Sequence, residues 1–275
     1  MPELPETETI ARDLNGEIRG RTITLVSVRK PDVLREITAR ALAKRITGAT
    51  IAHVWRRAKL VVLDLSTGDR IVVQPRFTGA LLLSDGPLPD REASYSTLDF
   101  RLDDGRDLHY RDIRRLGTVT LMAPERFEAY TAALGIEPLD PGFTEAHLSV
   151  LLRASKQALK KVLMDQRMIV GIGNIYANEA CWRAGVDPSR SASSIDAAEV
   201  GALREGIVSV LTESIAARGT SFRDYVDASG GKGDFERSLA AYGRGGEPCL
   251  RCGARLVETH AIDGRTTVLC ARCQR

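Results

Sequence analysis

Apolar residues recur along the first part of the chain at two different periods. Ile10, Leu14 and Ile18 fall at helical spacing and predict a helix that buries one face. Residues 22–29 (TITLVSVR) alternate and predict a strand. Residues 32–45 predict a second helix, with Val33, Ile37, Ala41 and Leu42 on one side and Gly48 beyond its end. From 50 to 122 the chain becomes a run of short strands: TIAHVWR, KLVVLDL, RIVVQ, GALLLS, STLDFRL, RDLHYR and GTVTLM. Turn signals at Thr67-Gly68, Asp85-Gly86-Pro87 and Asp104-Gly105 separate several of them. Such a succession predicts a β-sandwich or flattened barrel.

The pattern changes between Pro124 and Phe143, where Gly135, Pro138, Pro141 and Gly142 mark a linker. Helical periods follow at 144–152, 157–164, 174–184 and 196–217. The last opens on Asp196 with Glu199 three residues on, carries Val200, Leu203, Ile207, Val210 and Leu211, and is followed by Gly219. Residues 227–234 (DASGGKGD) predict a flexible loop. The tail beyond 241 is poor in apolar residues and needs a metal to fold. The expected architecture is therefore α+β and multidomain. A β-sandwich with flanking helices spans 1–124, a helical module 125–240 and a zinc ribbon 241–275.

Composition narrows the class. Hydrophobic content of 43% and charged content of 27% over 275 residues are those of a soluble globular protein. No apolar run approaches a membrane span, and the acidic start is unlike a signal peptide, so the expected location is cytoplasmic. The net charge of +3 implies little by itself. Its distribution implies more, with basic clusters at Arg56-Arg57-Ala58-Lys59, at Arg111 with Arg114-Arg115, and along the tail.

The most specific local signal is Cys249-x-x-Cys252 followed by Cys270-x-x-Cys273. Four thiolates at that spacing make a closed tetrahedral site for one structural zinc ion. The fifth cysteine, Cys181, lies in an apolar helical pattern and reads as a small buried hydrophobe. A second signal is Gly171-Ile172-Gly173-Asn174 opening a helix, where backbone N–H groups bind anions and Asn174 can donate. The third glycine of a dinucleotide fingerprint is missing, since Tyr176 holds its place. Lys59, Arg114 and Arg115 each admit two readings: a solvated charge at a strand end, or a cation placed for phosphate.

The chain's start holds the third signal, Met1-Pro2-Glu3-Leu4-Pro5-Glu6. Met1 precedes a small residue, so the initiator methionine is expected to be trimmed. Pro2 would then carry a free secondary amine, which titrates near ~8 and is partly nucleophilic at neutral pH. Pro5 suits a first helical turn, with Glu6 and Glu8 at the positive end of the helix. The plainer reading of the same residues is an ordinary acidic, proline-marked helix start.

Taken together, these motifs resemble the formamidopyrimidine-DNA glycosylases. The matching pieces are PELPE at the start, RRAK at 56–59, RR-x-G at 114–117, LMDQ at 163–166, GIGNIYANE at 171–179, and AYGRGGEPCLRCG through RTTVLCARCQ at 241–274. They run over nearly the whole chain, and their joint order is specific. The resemblance implies a bifunctional glycosylase and abasic-site lyase that acts on double-stranded DNA bearing oxidised purines. The helical half would be the family's helix–two-turn–helix module, and zinc the only cofactor; the chain itself gives no sign of oligomerisation, so a monomer is expected. By the resemblance, Pro2 attacks the anomeric carbon and Glu3 is the acid–base group. Lys59 serves β-elimination and a phosphate, and Arg265 serves δ-elimination and a phosphate. Glu6 is a second active-site glutamate, and Arg114 fills the gap opposite the flipped base. Lys160, Asn174 and Tyr242 match positions near the DNA backbone.

Several positions depart from the family's pattern. Gln74-Pro75-Arg76-Phe77 stands where His-Leu-Gly-Met is usual, so Phe77 replaces a methionine wedge. Leu116 replaces an aromatic, Ile113 a proline, and Tyr95 a DNA-contacting histidine; Ser155 stands near a usual lysine. Bulky wedges are thus kept but exchanged between loops, with Phe77, Tyr95 and Leu116 expected at the DNA. Two rival readings remain at this stage. An endonuclease VIII-like enzyme for oxidised pyrimidines is disfavoured by Leu4, where that branch has glycine. A non-catalytic nucleic-acid-binding protein has no need of Pro2-Glu3.

Overall fold

The structure, a computed structural model, describes residues 2–222 and 224–275; Met1, and with it the expected trimming, lies outside the described residues. The chain forms two compact units. The first joins Met1–Ala133 to Ala217–Asp234, and the second joins Leu134–Ala216 to Phe235–Arg275. The stretch 217–234, expected within the helical module, thus folds with the N-terminal unit.

In the first unit, α1 (Leu4–Ile18) buries Leu4, Ile10, Leu14 and Ile18 along one face. Two antiparallel-rich sheets follow. One has the order β1 (Ile23–Val28), β7 (Ser96–Leu102), β8 (Asp107–Asp112), β6 (Gly79–Ser84). The other has the order β2 (Leu34–Arg35), β9 (Thr118–Met122), β5 (Arg70–Gln74), β4 (Leu60–Leu65), β3 (Ile51–Arg57). Their inward side chains, among them Val54, Val61, Leu63, Val73, Leu81, Phe100 and Tyr110, make one core with α1. The alternation read from the sequence is the alternation of a half-buried strand.

The run LVVLDL is different, because β4 is buried on both faces. Leu60 and Val62 join Val72, Met122 and Phe127 in a second, smaller core. Phe127 comes from α4 (Pro124–Thr131), a helix that formed where a linker was expected. It meets Trp55 edge to face at 5.6 Å. The predicted helix at 32–45 is interrupted. Leu34 and Arg35 pair in parallel with Val119 and Thr120, and Glu36 takes a positive φ of 61°. Helix α2 (Ala39–Ile46) starts only after Thr38, whose hydroxyl accepts from the Ala41 N–H. A capping hydroxyl inside the apolar period ended it on the N-terminal side.

In the second unit, α5 (Glu145–Arg153), α6 (Leu159–Met164), α7 (Asn174–Ala184) and α8 (Ala197–Ala216) follow the predicted order. Asp196 and Glu199 exchange backbone N–H bonds at 2.9 Å, the predicted capping box. The tail forms a hairpin, β10 (Val257–Thr259) against β11 (Thr267–Leu269). Cys181 is fully buried, as expected. No helix among the described residues is long and apolar enough to cross a membrane.

One buried polar row crosses the sheet of β7 and β8. The Asp99 carboxylate faces His109 Nδ1 at 2.6 Å, the Arg29 Nε–H at 2.5 Å and the Ser96 hydroxyl, while His109 Nε2 meets Ser84 Oγ at 3.0 Å. Burial alone would raise the Asp99 carboxyl. The hydrogen bonds from His109, Ser96 and Arg29 outweigh it and bring the group from 3.8 down to about 2. A depressed carboxyl stabilises the fold above its unfolded value and loses that contribution as pH falls toward the folded one. Asp99→Asn should therefore cost about 2 kcal/mol at neutral pH, and the gap from wild type should close between pH ~4 and ~2. Urea denaturation of both proteins across that range checks it, and a gap independent of pH would contradict it.

Candidate active site and nucleic-acid interface

Glu3 and Glu6 form a reciprocal capping box at the start of α1, and Glu6 Oε2 accepts the Glu3 N–H at 2.8 Å. Pro2 and Glu3 are buried. The other Glu6 oxygen accepts the Thr220 N–H at 2.8 Å, which ties the 217–234 segment to the same helix start. Within that segment the Tyr225 hydroxyl donates to the Arg218 carbonyl at 3.1 Å. Gly219 has a φ of +87° and sits against Glu6, where a Cβ would lie 3.0 Å from Glu6 Cγ and crowd it. Glu6, expected as a DNA-binding residue, is 1% exposed and accepts a backbone N–H at each of its carboxylate oxygens.

Lys59 is the second residue of the two-residue turn between β3 and β4, after Ala58 at a φ of 54°. This differs from its expected place at the start of a strand. The preceding Arg56 fixes the turn. Its Nε–H donates to Glu8 on α1 at 2.7 Å, and its Nη1–H donates to the Ala58 carbonyl at 3.0 Å. Burial works against ionised Glu8, but Arg56 and Arg12 outweigh it and hold its carboxyl below the usual range. The basic cluster RRAK is thus divided: Arg56 is structural and half-buried Lys59 is presented at the turn.

Phe77 and Leu116 are 45% and 47% exposed, and Arg114 is exposed between them in sequence. This excludes Phe77 from the core. The Arg114 guanidinium lies 5.7 Å from the centre of the Phe77 ring, within cation–π range. Tyr95 ends α3 (Asp90–Tyr95) and is half-buried.

In the second unit, Asn174 is the first residue of α7, following the Gly171-Ile172-Gly173 entry. Gln166 of the LMDQ stretch shapes that entry. Its Oε1 accepts the Gly171 N–H at 2.8 Å and its Nε2 donates to the Met164 and Ile172 carbonyls at 2.9 Å. Arg265 is exposed in the turn of the hairpin. It borders a cleft of about 360 Å³ with Lys161 and Arg167, where Asp165 pairs with Arg167 at 2.7 Å and Asp263 lies 3.8 Å from Lys161 and 3.9 Å from Arg265. Lys160, expected at the DNA backbone, is fully buried. Its Nζ donates to the Thr266 carbonyl at 2.7 Å and to Thr267 Oγ1 at 2.8 Å, which locks α6 to the hairpin.

The four cysteine sulfurs lie within 4.8 Å of one another, with Cys252 and Cys270 at 3.5 Å. Zinc–sulfur bonds of about 2.3 Å in a tetrahedron place thiolates about 3.8 Å apart, so the donor set fits one structural zinc ion. Burial disfavours the Cys249 thiolate, but N–H groups of Arg251 and Cys252 outweigh it and bring the thiol down to about 6. Two residues that the sequence reading passed over anchor this ribbon. Glu179 accepts backbone N–H bonds from Ala240, Ala241 and Tyr242 at 3.0, 2.9 and 2.8 Å. Asn178 accepts the Val268 N–H at 2.8 Å. The available signal was two adjacent polar residues flanked by Ala177, Ala180 and Cys181, in the buried middle of a helix. Tyr242 itself is half-buried beside the ribbon.

Comparison with known proteins gives a consistent picture. Residues 1–119 match the formamidopyrimidine-DNA glycosylase N-terminal domain, 134–226 the H2TH domain of the same enzymes, and 246–275 the zinc finger found in FPG and IleRS. A formamidopyrimidine-DNA glycosylase of Heliobacterium modesticaldum is 41% identical, with 100% of both chains covered. One from Xanthomonas campestris is 39% identical over the same shares. A Lactococcus lactis Fpg solved with DNA containing N7-benzyl-Fapy-dG superposes with a TM-score of 0.91 at 30% identity, covering 100% of each chain. The Thermus thermophilus MutM (Fpg) protein gives 0.87 at 34%, covering 99% of this chain and 98% of that one.

The ribbon's dependence on its metal is directly testable. Structural zinc supplies folding free energy to a unit with little apolar core. Cys249→Ser or Cys273→Ser, or removal of zinc by a chelator, should unfold the hairpin and abolish DNA binding while the N-terminal β-sandwich stays folded. Hydrogen exchange resolved by segment, with DNA affinity measured in parallel, checks this. Full affinity in demonstrably zinc-free protein would refute it.

Proposed function

The chain belongs to the formamidopyrimidine-DNA glycosylase family and is a DNA glycosylase of base excision repair; from that premise we propose that it excises oxidised purines, 8-oxoguanine and formamidopyrimidines, through the amine of Pro2 and then cleaves the abasic strand. The observation that carries this reading is the hold on Pro2-Glu3. The backbone after Pro2 is fixed by the Glu6 carboxylate, which buries the residues at the head of α1 in one defined position. A nucleophile gains most when it is held at its target instead of fraying. The Lactococcus lactis relatives were solved on Fapy-dG DNA and on abasic-site DNA, the substrate and the intermediate of such a sequence.

The chemistry follows from the groups present. With Met1 removed, the Pro2 nitrogen lone pair attacks C1′ of the damaged nucleotide, and the base departs with the glycosidic electrons and takes a proton. Glu3 protonates the ring oxygen as the C1′–O4′ bond opens, leaving an iminium. Loss of a C2′ proton then expels the 3′ phosphate, with Lys59 as the proton-transfer and phosphate group. A second elimination expels the 5′ phosphate, assisted by Arg265. Phe77 and Leu116 fill the gap left by the extruded base, and Arg114 bonds to the base opposite. Asn174 and Tyr242 serve the DNA backbone, with Tyr95 at the same strand. Glu6 and Lys160 contribute by holding the elements that bear these groups. No second subunit is needed, so the scheme is that of a monomer on double-stranded DNA in the cytoplasm.

Borohydride reduction should trap the iminium as a covalent adduct with lesion-bearing duplex. Pro2→Gly should keep weak trapping, because a primary amine still forms the adduct. Retention of Met1, or acetylation of the terminus, should abolish it. Gel analysis of the adduct decides the matter: normal trapping by terminally blocked protein would exclude Pro2 as the nucleophile.

A further inference from the structure

The two turns that carry Phe77 and Arg114 are joined beneath the surface. One leads into β6 and the other out of β8, and Gly79 pairs with Asp112 across those strands. Thr78 and Asp112 are both buried. The Thr78 hydroxyl donates to Asp112 Oδ1 at 2.5 Å and accepts the Arg114 N–H at 3.0 Å. The other Asp112 oxygen accepts the Gly117 N–H at 2.8 Å, closing the second turn on itself. The hydroxyl has one proton to give, and gives it to Asp112; its lone pair takes the Arg114 N–H. One side chain from the first turn therefore occupies the inside of the second.

Neither turn has slack. A Cβ on Gly79 would lie 2.4 Å from the Pro75 carbonyl oxygen, and one on Gly117 would lie 1.9 Å from the Tyr110 hydroxyl. Arg76 and Arg115 each hold a φ of 53°, a left-handed conformation that non-glycine residues adopt only when their surroundings impose it. Above this joint, the Arg114 guanidinium is stacked on the Phe77 ring.

We propose that Thr78 is a specificity-determining positioning residue, which through Asp112 and the Arg114 backbone holds Phe77 and Arg114 as one stacked wedge and so couples base extrusion to reading of the opposite base. This rests on the reading of Phe77 and Arg114 as the groups that enter the duplex. A joint of this kind sets the height of the guanidinium relative to the aromatic ring. Without it the ring still fills space, but the guanidinium no longer meets the opposite base in one geometry.

Thr78→Val keeps the shape and removes the hydroxyl, leaving a buried acceptor and a buried N–H without their partner. Thr78→Ser keeps the hydroxyl. Asp112→Asn, which leaves one acceptor where two are used, serves as a second route should Thr78→Val fold poorly. The measurements are single-turnover excision of 8-oxoguanine opposite cytosine and opposite adenine, and 2-aminopurine fluorescence beside the lesion as a reporter of insertion. Borohydride trapping at a preformed abasic site serves as the reference. Thr78→Val and Asp112→Asn should lower the preference for one opposite base about tenfold, the size of one lost oriented contact. Thr78→Ser should keep the wild-type ratio, and trapping at the abasic site should be unchanged in all three.

The proposal is overturned if Thr78→Val keeps the wild-type ratio, or if Thr78→Ser loses it to the same extent. Phe77→Ala separates this from the underlying reading. If it slows excision and delays the 2-aminopurine signal while Thr78→Val leaves the ratio intact, the wedge stands and only the coupling fails. If Phe77→Ala changes neither signal, the wedge reading itself falls.

Discussion

The arrangement depends on one buried carboxylate. Glu6 has two oxygens, and each takes a backbone N–H: Glu3 at the head of α1 and Thr220 in the segment that returns from α8. Both bonds are shielded from water, where each is worth more than at the surface and where its loss leaves an orphaned donor. The same group therefore sets the N-terminal residues and the 217–234 segment with respect to each other. That segment is itself held by Asp227, which accepts from Arg218, Ser229 and Gly231, and by Arg218 on Asp13 of α1. What the sequence shows as a flexible glycine-rich loop at 227–234 is folded around Asp227 and bonded through it to Arg218, which in turn reaches α1 at Asp13.

A parallel logic operates in the second unit, where polar side chains inside helices carry the parts that have too little apolar surface to place themselves. Glu179 and Asn178 on α7 and Lys160 on α6 reach backbone groups on both sides of the ribbon. The ribbon's own core is small: Ala241, Leu256 and Val268 with two of the cysteines. Zinc closes it, and the helices orient it. The charges of this unit are thereby divided between those bonded to buried backbone groups and those, such as Lys161 on α6 and Arg265 in the hairpin turn, that are exposed beside the cleft.

How much of this could be read from the chain follows from the range of each interaction. The strands were legible because alternation is local and glycine turns punctuate it, and the zinc site because four cysteines at fixed spacing leave few other uses. The family's motifs singled out Pro2, Glu3, Lys59, Arg114 and Arg265 as candidates. Helix α4 was hidden because its first residue, Pro124, reads equally as the start of the linker that follows; its one buried residue, Phe127, gives no periodicity. The break at Leu34–Arg35 was hidden because parallel pairing with β9 is decided some eighty-five residues later along the chain. Glu6 and Lys160 were assigned to DNA by motif, and their burial follows from partners far away in sequence, Thr220 and Thr266. Charge identity is visible in a sequence; whether a charge faces backbone or solvent is settled by tertiary contacts.

The central claim is that the Glu6 carboxylate, by holding two backbone amides at once, fixes the residue that performs the chemistry. Glu6→Gln tests it most directly, since glutamine offers one acceptor where two are used and keeps the size of the side chain. The measurement is hydrogen exchange at the Glu3 and Thr220 amides alongside the single-turnover rate of adduct formation on abasic DNA. The account predicts that at least one of the two amides exchanges faster and that adduct formation slows by about tenfold or more, the effect of about 1–3 kcal/mol of lost positioning. Wild-type adduct formation in Glu6→Gln, with both amides as protected as before, would contradict it.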